Sequence, residues 1–240
     1  MLSVIKGEFK RVSKNLTLYL ILAIIICFQI IVTIVQIGLF NNSKINGISD
    51  PYLLKLIWYT GSTMLFSILY SVAIDYQVVS KEYANKTWEL LLLNIKNKNN
   101  IIFSKFILSS IFQVMCQIIS FAIFVLVMKT YYGLTNSWII CLPFFLMSCL
   151  GSFFLVSCVF CIHLIIKNGI LAIAFSIPLM LLPSFLFRVV EFGKYIPIMT
   201  VGYFLNIDIN MSPLTSFALC MYNIGCGIIL IYIVNRYFHL

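Results

Sequence analysis

The sequence predicts an all-α membrane protein with six transmembrane helices, and three observations support that fold class. Hydrophobic residues make up 62% of the 240 positions and charged residues only 10%, whereas a water-soluble domain carries roughly 25% charged residues. The apolar runs each reach about 20 residues, the length at which a helix crosses a bilayer. They also lack the alternation of polar and apolar residues that is typical of transmembrane barrel strands.

The six predicted spans follow one another within a single transmembrane domain that comprises residues 1–240. Helices are expected because an open sheet in lipid would leave backbone N–H and C=O groups without hydrogen-bond partners. The predicted spans cover residues 17–40, 52–79, 101–128, 137–166, 169–187 and 214–234. Two of the connecting segments are long, residues 80–100 and residues 188–213.

Residues 1–16 precede the first span and are expected to form a helix that lies in the membrane interface. Leu2, Ile5, Phe9 and Val12 recur at three- and four-residue spacing, and lysines occupy other positions of the helical wheel. This amphipathic pattern suits a helix lying along the headgroups. A basic tail that only directs membrane insertion is the alternative interpretation.

The sixteen Lys and Arg residues are distributed unevenly along the chain. Most lie before the first span or between the second and third spans, where Lys105 is counted with the loop cations. The positive-inside rule therefore predicts a multi-pass protein of the cell membrane with both termini in the cytoplasm. The net charge of +9 follows from cations that flank lipid spans, so no nucleic-acid partner is expected.

The cytoplasmic segment 80–100 is charged, yet it carries a cluster of apolar residues. Asn85 or Thr87 is a suitable N-cap for a short helix that extends to Leu93. The apolar side chains on one face of that helix are Trp88, Leu91 and Leu92. An amphipathic helix of this kind either rests on the lipid headgroups or inserts into a groove of a partner protein, and the pattern alone leaves both open.

The same segment matches a known motif at six positions, and two others depart from it. The matching residues are Glu82, Thr87, Leu91, Leu92, Lys98 (for an Arg) and Lys105. Lys86 stands where the motif has Gly, and Ile95 stands where it has Pro. In this motif, and in the arrangement of the N-terminal helix, six spans and long external segment, the chain resembles the permease subunit of type-2 ABC transporters.

The resemblance implies that the helix after the second span is a coupling helix, which docks on a separate cytoplasmic ATPase subunit. The residues implied in that contact are Glu82, Tyr83, Thr87, Trp88, Glu89, Leu91 and Leu92. The chain would be a non-catalytic subunit that binds no cofactor directly, pairs with a second, identical or paralogous permease, and relies on ATP hydrolysed by its partner. Residues 188–213 would form an external re-entrant hairpin.

The absence of a P-loop motif agrees with an ATPase on another chain. The single Gly-Lys pair, Gly193-Lys194, is followed by Tyr195 rather than Ser or Thr. The resemblance also indicates a cargo class, because small permeases of this kind in Gram-positive bacteria serve in immunity to lantibiotics and other bacteriocins. Drug, lipid or glycan export, an ATP-independent transporter or channel, a membrane-embedded enzyme and an accessory protein remain the alternatives.

Polar residues within the predicted spans supply candidates for a transport path. The small hydroxyl side chains taken as path walls are Thr63, Ser67, Ser71 and Ser176. Asp75 is the one acidic residue assigned to a span, and a role in gating or ion pairing is possible for it because charge in lipid is costly. No metal site is expected, since Cys158, Cys161 and His163 fall short of the four ligands that zinc requires.

Overall fold

A computed structural model describes residues 2–40, 51–88, 98–132, 137–178 and 213–237 of the chain. All regular structure in these ranges is helical, and no strand occurs among them. The helices are α1 (Leu2–Val12), α2 (Leu16–Phe40), α3 (Pro51–Asp75), α4 (Lys81–Ala84), α5 (Lys98–Tyr132), α6 (Ser137–Gly151), α7 (Phe153–Ile165), α8 (Gly169–Ser176) and α9 (Pro213–Tyr237). A π-helical segment, Tyr76–Ser80, joins α3 to α4.

Five helical stretches within the described ranges are long and apolar enough to cross a membrane. They are Leu16–Val35, Gly61–Ala84, Asn99–Thr130, Cys141–Ile165 and Phe217–Tyr237. The all-helical fold class is therefore confirmed for this part of the chain. Of the predicted fifth span, 169–187, the described part ends at residue 178, and the predicted external hairpin 188–213 lies outside the described residues except for Pro213, where α9 begins.

Helix α3 forms the centre of the bundle, because it packs against α2, α5, α6 and α7. Some 72% of its apolar stretch is buried, compared with 28% for α2 and 22% for α9. The outer helices therefore expose apolar side chains, as expected of surfaces that face lipid instead of water. The buried polar residues of α3 thus lie where several helices can supply hydrogen-bond partners.

Helix α1 packs against the first half of α5 instead of standing apart from the bundle. The ring of Phe9 stacks on that of Phe112 with centroids 5.9 Å apart, and Val12 is buried in the main apolar core. Asn15 then ends the turn into α2, donating to Gln77 Oε1 at 2.8 Å. The placement of α1 at the membrane surface stays a prediction.

The predicted fourth span, 137–166, is divided into α6 and α7, which meet at Ser152. At this point Asn223 of α9 donates its side-chain amide to the carbonyl of Gly151 at 3.1 Å, and Gln117 of α5 donates to the Ser152 hydroxyl at 3.3 Å. Side chains that bond into the helical hydrogen-bond ladder are a recognised cause of helix irregularity. The division falls on the pair Gly151-Ser152, a local sequence that also favours a helix irregularity, and the two neighbouring helices bond at the same point.

Candidate functional site

Four charged residues from α1, α4 and α5 form a charge cluster at one end of the bundle, and all of them except the exposed Arg11 are buried. Lys105 is fully buried, and its Nζ lies 2.6 Å from Oε1 of Glu82 and 3.3 Å from Oε1 of Glu8. The same ammonium donates to the carbonyl oxygen of Val78 at 3.0 Å. Arg11 pairs with Glu8 at 2.7 Å and also with Glu82. Two cations and two carboxylates leave the charge cluster electrically neutral.

Two aromatic residues cover the charge cluster from the side of the predicted coupling segment. Trp88 is only 4% exposed, and the centroid of its ring lies 5.4 Å from Nζ of Lys105, a separation suited to a cation–π interaction. Tyr83 stacks on Trp88 with centroids 5.3 Å apart and donates its hydroxyl to the carbonyl of Leu164 at 2.8 Å. Both rings therefore fix the start of the segment against the bundle.

The structure corrects the assignment of Lys105 as a loop cation. It lies inside α5 and is buried, because two carboxylates and a backbone carbonyl together offset the loss of hydration. It also corrects the statement that Asp75 is the one acid within a span, since Glu82 falls within the apolar stretch Gly61–Ala84 and is buried as well. The second apolar stretch therefore runs further than the sequence pattern predicted.

A seam of hydrogen bonds, the polar seam, continues from the charge cluster along the contact between α3 and α5. Ser71 donates to Gln113 Oε1 at 3.0 Å, and Gln113 donates to the carbonyl of Ser67 at 3.0 Å. One turn nearer the charge cluster, Ser109 donates to Oδ1 of Asp75. The α5 members of the series are Lys105, Ser109 and Gln113. Their four-residue spacing puts them on one helix face.

Asp75 lies at the end of α3 and is fully buried. Its Oδ1 accepts from Ser109, and its Oδ2 has no hydrogen-bond partner among the described residues. A buried carboxylate with one hydrogen bond is a costly arrangement in a protein interior. The side chain was a sequence candidate for gating or ion pairing, and its described surroundings contain one hydroxyl partner but no bonded cation.

The π-helical segment Tyr76–Ser80 connects Asp75 to α4 and is held firmly by the opposite side of the bundle. Ser80 is hydrogen-bonded to Nδ1 of buried His163 at 2.7 Å. A Cβ added at Gly169 would lie 2.8 Å from a ring carbon of Tyr76 and 3.1 Å from Cβ of Ser80. Short π segments within α-helices often occur at functional sites. Along the chain, this segment lies between Asp75 of the polar seam and Glu82 of the charge cluster.

The four predicted path residues are all fully buried, and each hydroxyl is bonded within the bundle. They are Thr63, Ser67 and Ser71 on α3 and Ser176 on α8. Thr63 accepts from Gln29 Nε2 at 3.0 Å and donates to the carbonyl of Tyr59 at 2.8 Å. Ser176 donates to the carbonyl of Ala172 at 2.8 Å. The four do not form one group, and their role in transport stays a prediction.

The predicted coupling residues are described only in part. Glu82, Tyr83 and Trp88 contact the bundle as given above, and Thr87 donates to the carbonyl of Glu82 at 3.4 Å. The remaining three, Glu89, Leu91 and Leu92, lie outside the described residues. Lys86 has φ of 54°, a left-handed backbone conformation that glycine adopts without strain. This geometry explains why the motif has Gly at the position of Lys86.

Sequence reasoning missed Glu8 and Arg11 as members of a site, although a signal was present. Glu8 is the sole acidic residue of the N-terminal helix, and its spacing from Ile5 and Val12 puts it on the apolar face. An acid on an apolar face indicates a buried partner. Among the described residues, no group of three or more His, Cys, Asp or Glu residues is placed to hold a metal ion.

The helical fold, the five apolar stretches and the charge cluster at one end of them define a multi-pass membrane protein. Residues 4–183, most of the chain, match the model of a family described as ABC-2 family transporter protein. The chain therefore belongs to the ABC-2 family, whose members are membrane permease subunits that are generally non-catalytic and work with an ABC ATPase. No match was found among curated proteins.

Proposed function

We propose that this chain is the membrane-spanning subunit of an ATP-driven exporter and that its coupling segment begins at Glu82. The observation that carries the proposal is the charge cluster, in which Glu82 is joined to α5 through Lys105 and to α1 through Arg11. A displacement of the segment after α4 would therefore act on two other helices. ATP would be hydrolysed by a separate cytoplasmic subunit, and a second permease would complete the path.

Transmission from the coupling segment into the membrane has a physical route in the described helices. The π-helical segment continues directly into α3, and the polar seam connects α3 to α5 through Ser71, Asp75, Ser109 and Gln113. Coupling between distant sites needs an element with two arrangements that both sites can bias. We infer that the π-helical segment is that element and that the path lies against α3, where Thr63, Ser67 and Ser71 reside.

For the cargo, we propose a lantibiotic or another antimicrobial peptide that the transporter expels from the membrane. An apolar groove of about 610 Å³ between α5, α7 and α9 is lined by residues such as Phe103, Phe106 and Phe153. A groove of that volume and character suits an amphipathic molecule that arrives from the lipid phase. Drug, lipid or glycan export would use the same groove and remains the alternative.

Copurification tests the partner, and a resistance assay tests the cargo. The tagged chain is purified in mild detergent from cells that also express the neighbouring genes, and an ATPase is expected to copurify. Sensitive cells expressing both subunits should then survive higher peptide concentrations than cells with an ATPase mutated in its P-loop Lys. A buried acid such as Asp75 also occurs in ion-coupled transporters, so resistance that persists without ATP hydrolysis would favour that class instead.

A further inference from the structure

A polar cleft of about 430 Å³ opens beside the charge cluster, between the turn from α1 to α2 and the end of α3 with α4. Lys14 and Asn15 form one wall, and Lys81, Asn85 and Thr87 form the other. Both lysines are exposed, and neither has a carboxylate partner among the described residues. The cleft therefore presents two free ammonium groups and several neutral donors to whatever enters it.

The electrostatics of the cleft favour an anion. Arg11 and Glu82 also contribute to its wall, but their charges are balanced within the charge cluster, where Lys105 and Glu8 complete two opposite pairs. Lys14 and Lys81 consequently leave an excess of two positive charges. A lysine ammonium is a compact charge with three donors that suits a phosphate oxygen. The expected ligand is a phosphate-bearing anion.

The position of the cleft along the bundle selects among such anions. Lys14 lies just before α2, whose first exposed apolar residues are Leu16, Tyr19 and Leu20. Lys81 lies near the end of the apolar stretch Gly61–Ala84. Both lysines are therefore placed where apolar helices meet the polar headgroup region, and basic pockets at that level bind lipid headgroups. We propose that this cleft binds the headgroup of an anionic phospholipid through Lys14 and Lys81.

The binding test compares an anionic with a zwitterionic phospholipid of the same acyl chains, and both with free phosphate. The full-length protein in neutral detergent is titrated with phosphatidylglycerol, phosphatidylcholine or inorganic phosphate, and bound lipid is counted by native mass spectrometry. Phosphatidylglycerol should bind more tightly than phosphatidylcholine, and inorganic phosphate should not displace it. The double variant that carries both Lys14→Gln and Lys81→Gln should bind phosphatidylglycerol about 25-fold more weakly, since each lysine near the headgroups contributes roughly fivefold.

Two further variants keep the test decisive. Lys6→Gln with Lys167→Gln removes the same charge from exposed lysines outside the cleft and should leave binding unchanged. The double variant that carries Lys14→Arg and Lys81→Arg keeps both positive charges and should retain phosphatidylglycerol binding. Equal losses in the Lys6 and Lys167 variant, or no preference for phosphatidylglycerol, would overturn the proposal. The Lys14→Gln/Lys81→Gln variant could also bind lipid as before but lose the copurifying ATPase. That result would show that the cleft binds a protein, and it would overturn the lipid proposal.

Discussion

Nζ of Lys105 lies 2.6 Å from Oε1 of Glu82, in a position where no part of the lysine side chain is exposed. The pair joins the start of α5 to the short helix after α3, and Arg11 extends the contact to α1. Ion pairs of this kind contribute little net stability compared with a well-packed apolar core, yet losing one partner leaves an uncompensated buried charge. The consequences of breaking the pair are therefore large and specific.

Replacing Lys105→Met is expected to destabilise the protein by about 3–5 kcal/mol, because Glu8 and Glu82 then share Arg11 as their one remaining cation. Thermal unfolding of the purified protein in detergent measures the change. The double variant Lys105→Met with Glu82→Gln should recover part of the loss, since one buried charge is removed with the other. Lys167→Met, at an exposed lysine, is the control and should stay within about 0.5 kcal/mol. Strictly additive effects of the two substitutions would contradict the pairing.

Replacing Lys86→Gly is expected to raise the stability by about 1 kcal/mol. The backbone at this position has φ of 54°, and an L-residue with a side chain costs roughly 1–2 kcal/mol in the left-handed region. Lys86→Ala removes the charge but keeps Cβ, and it should give no such gain. The midpoints of thermal unfolding of the two variants, each compared with the unchanged protein, test this expectation. A larger gain from Ala than from Gly would show that charge, and not backbone strain, controls this position.

Much of the fold could be predicted from the sequence, because the signal for a membrane helix is local. The strongly apolar first span predicted a helix at 17–40, and α2 covers Leu16–Phe40. The last span was predicted at 214–234, and α9 covers Pro213–Tyr237. In each case hydropathy and length suffice, since a backbone in lipid must satisfy its own hydrogen bonds.

The candidate site could be predicted only in part, because its residues meet through tertiary contacts. The motif singled out Glu82 and Lys105, but not their buried pairing or the participation of Glu8, which lies in the first helix of the chain. The π-helical segment was not predicted either, and the residues that pack on it, His163 and Gly169, come from distant positions in the chain. Periodicity reports which face of a helix is apolar, and it contains no information on which distant side chain is opposite.

Replacing Gly169→Ala is expected to destabilise the protein by about 1–3 kcal/mol, since the new methyl group would press on the ring of Tyr76 and on Ser80. Loss of transport at unchanged ATPase binding should accompany it if the π-helical segment transmits motion. Gly7→Ala is the matched control, because nothing lies within 4 Å of its Cβ position; it should be neutral or stabilising by up to about 1 kcal/mol. Similar stability of both variants would show that the segment has room to shift.

Replacing Asp75→Asn is expected to leave stability unchanged or raise it. The amide oxygen can still accept from Ser109, while the variant no longer buries a carboxylate that has one described hydrogen bond. Ser109→Ala, which removes that one donor, should destabilise by about 1–3 kcal/mol. Unfolding in detergent measures both. A loss above about 3 kcal/mol for Asp75→Asn would exceed the cost of an unpaired buried amide group; it would indicate a cationic partner of the carboxylate and would contradict the arrangement described for the polar seam.

Replacing Trp88→Ala is expected to uncouple ATP hydrolysis from transport, because the indole ring covers Lys105 and stacks on Tyr83 at the start of the proposed coupling segment. With a reconstituted ATPase, transport per ATP hydrolysed should fall on the order of tenfold, and Trp88→Phe should retain most of it by preserving an aromatic face. Tyr237→Ala, at an exposed aromatic residue at the end of α9, serves as the control for loss of a ring. If folded Trp88→Ala keeps the same ratio of transport to ATP hydrolysis, Trp88 has no part in coupling. Coupling would then depend on Glu82 and Lys105.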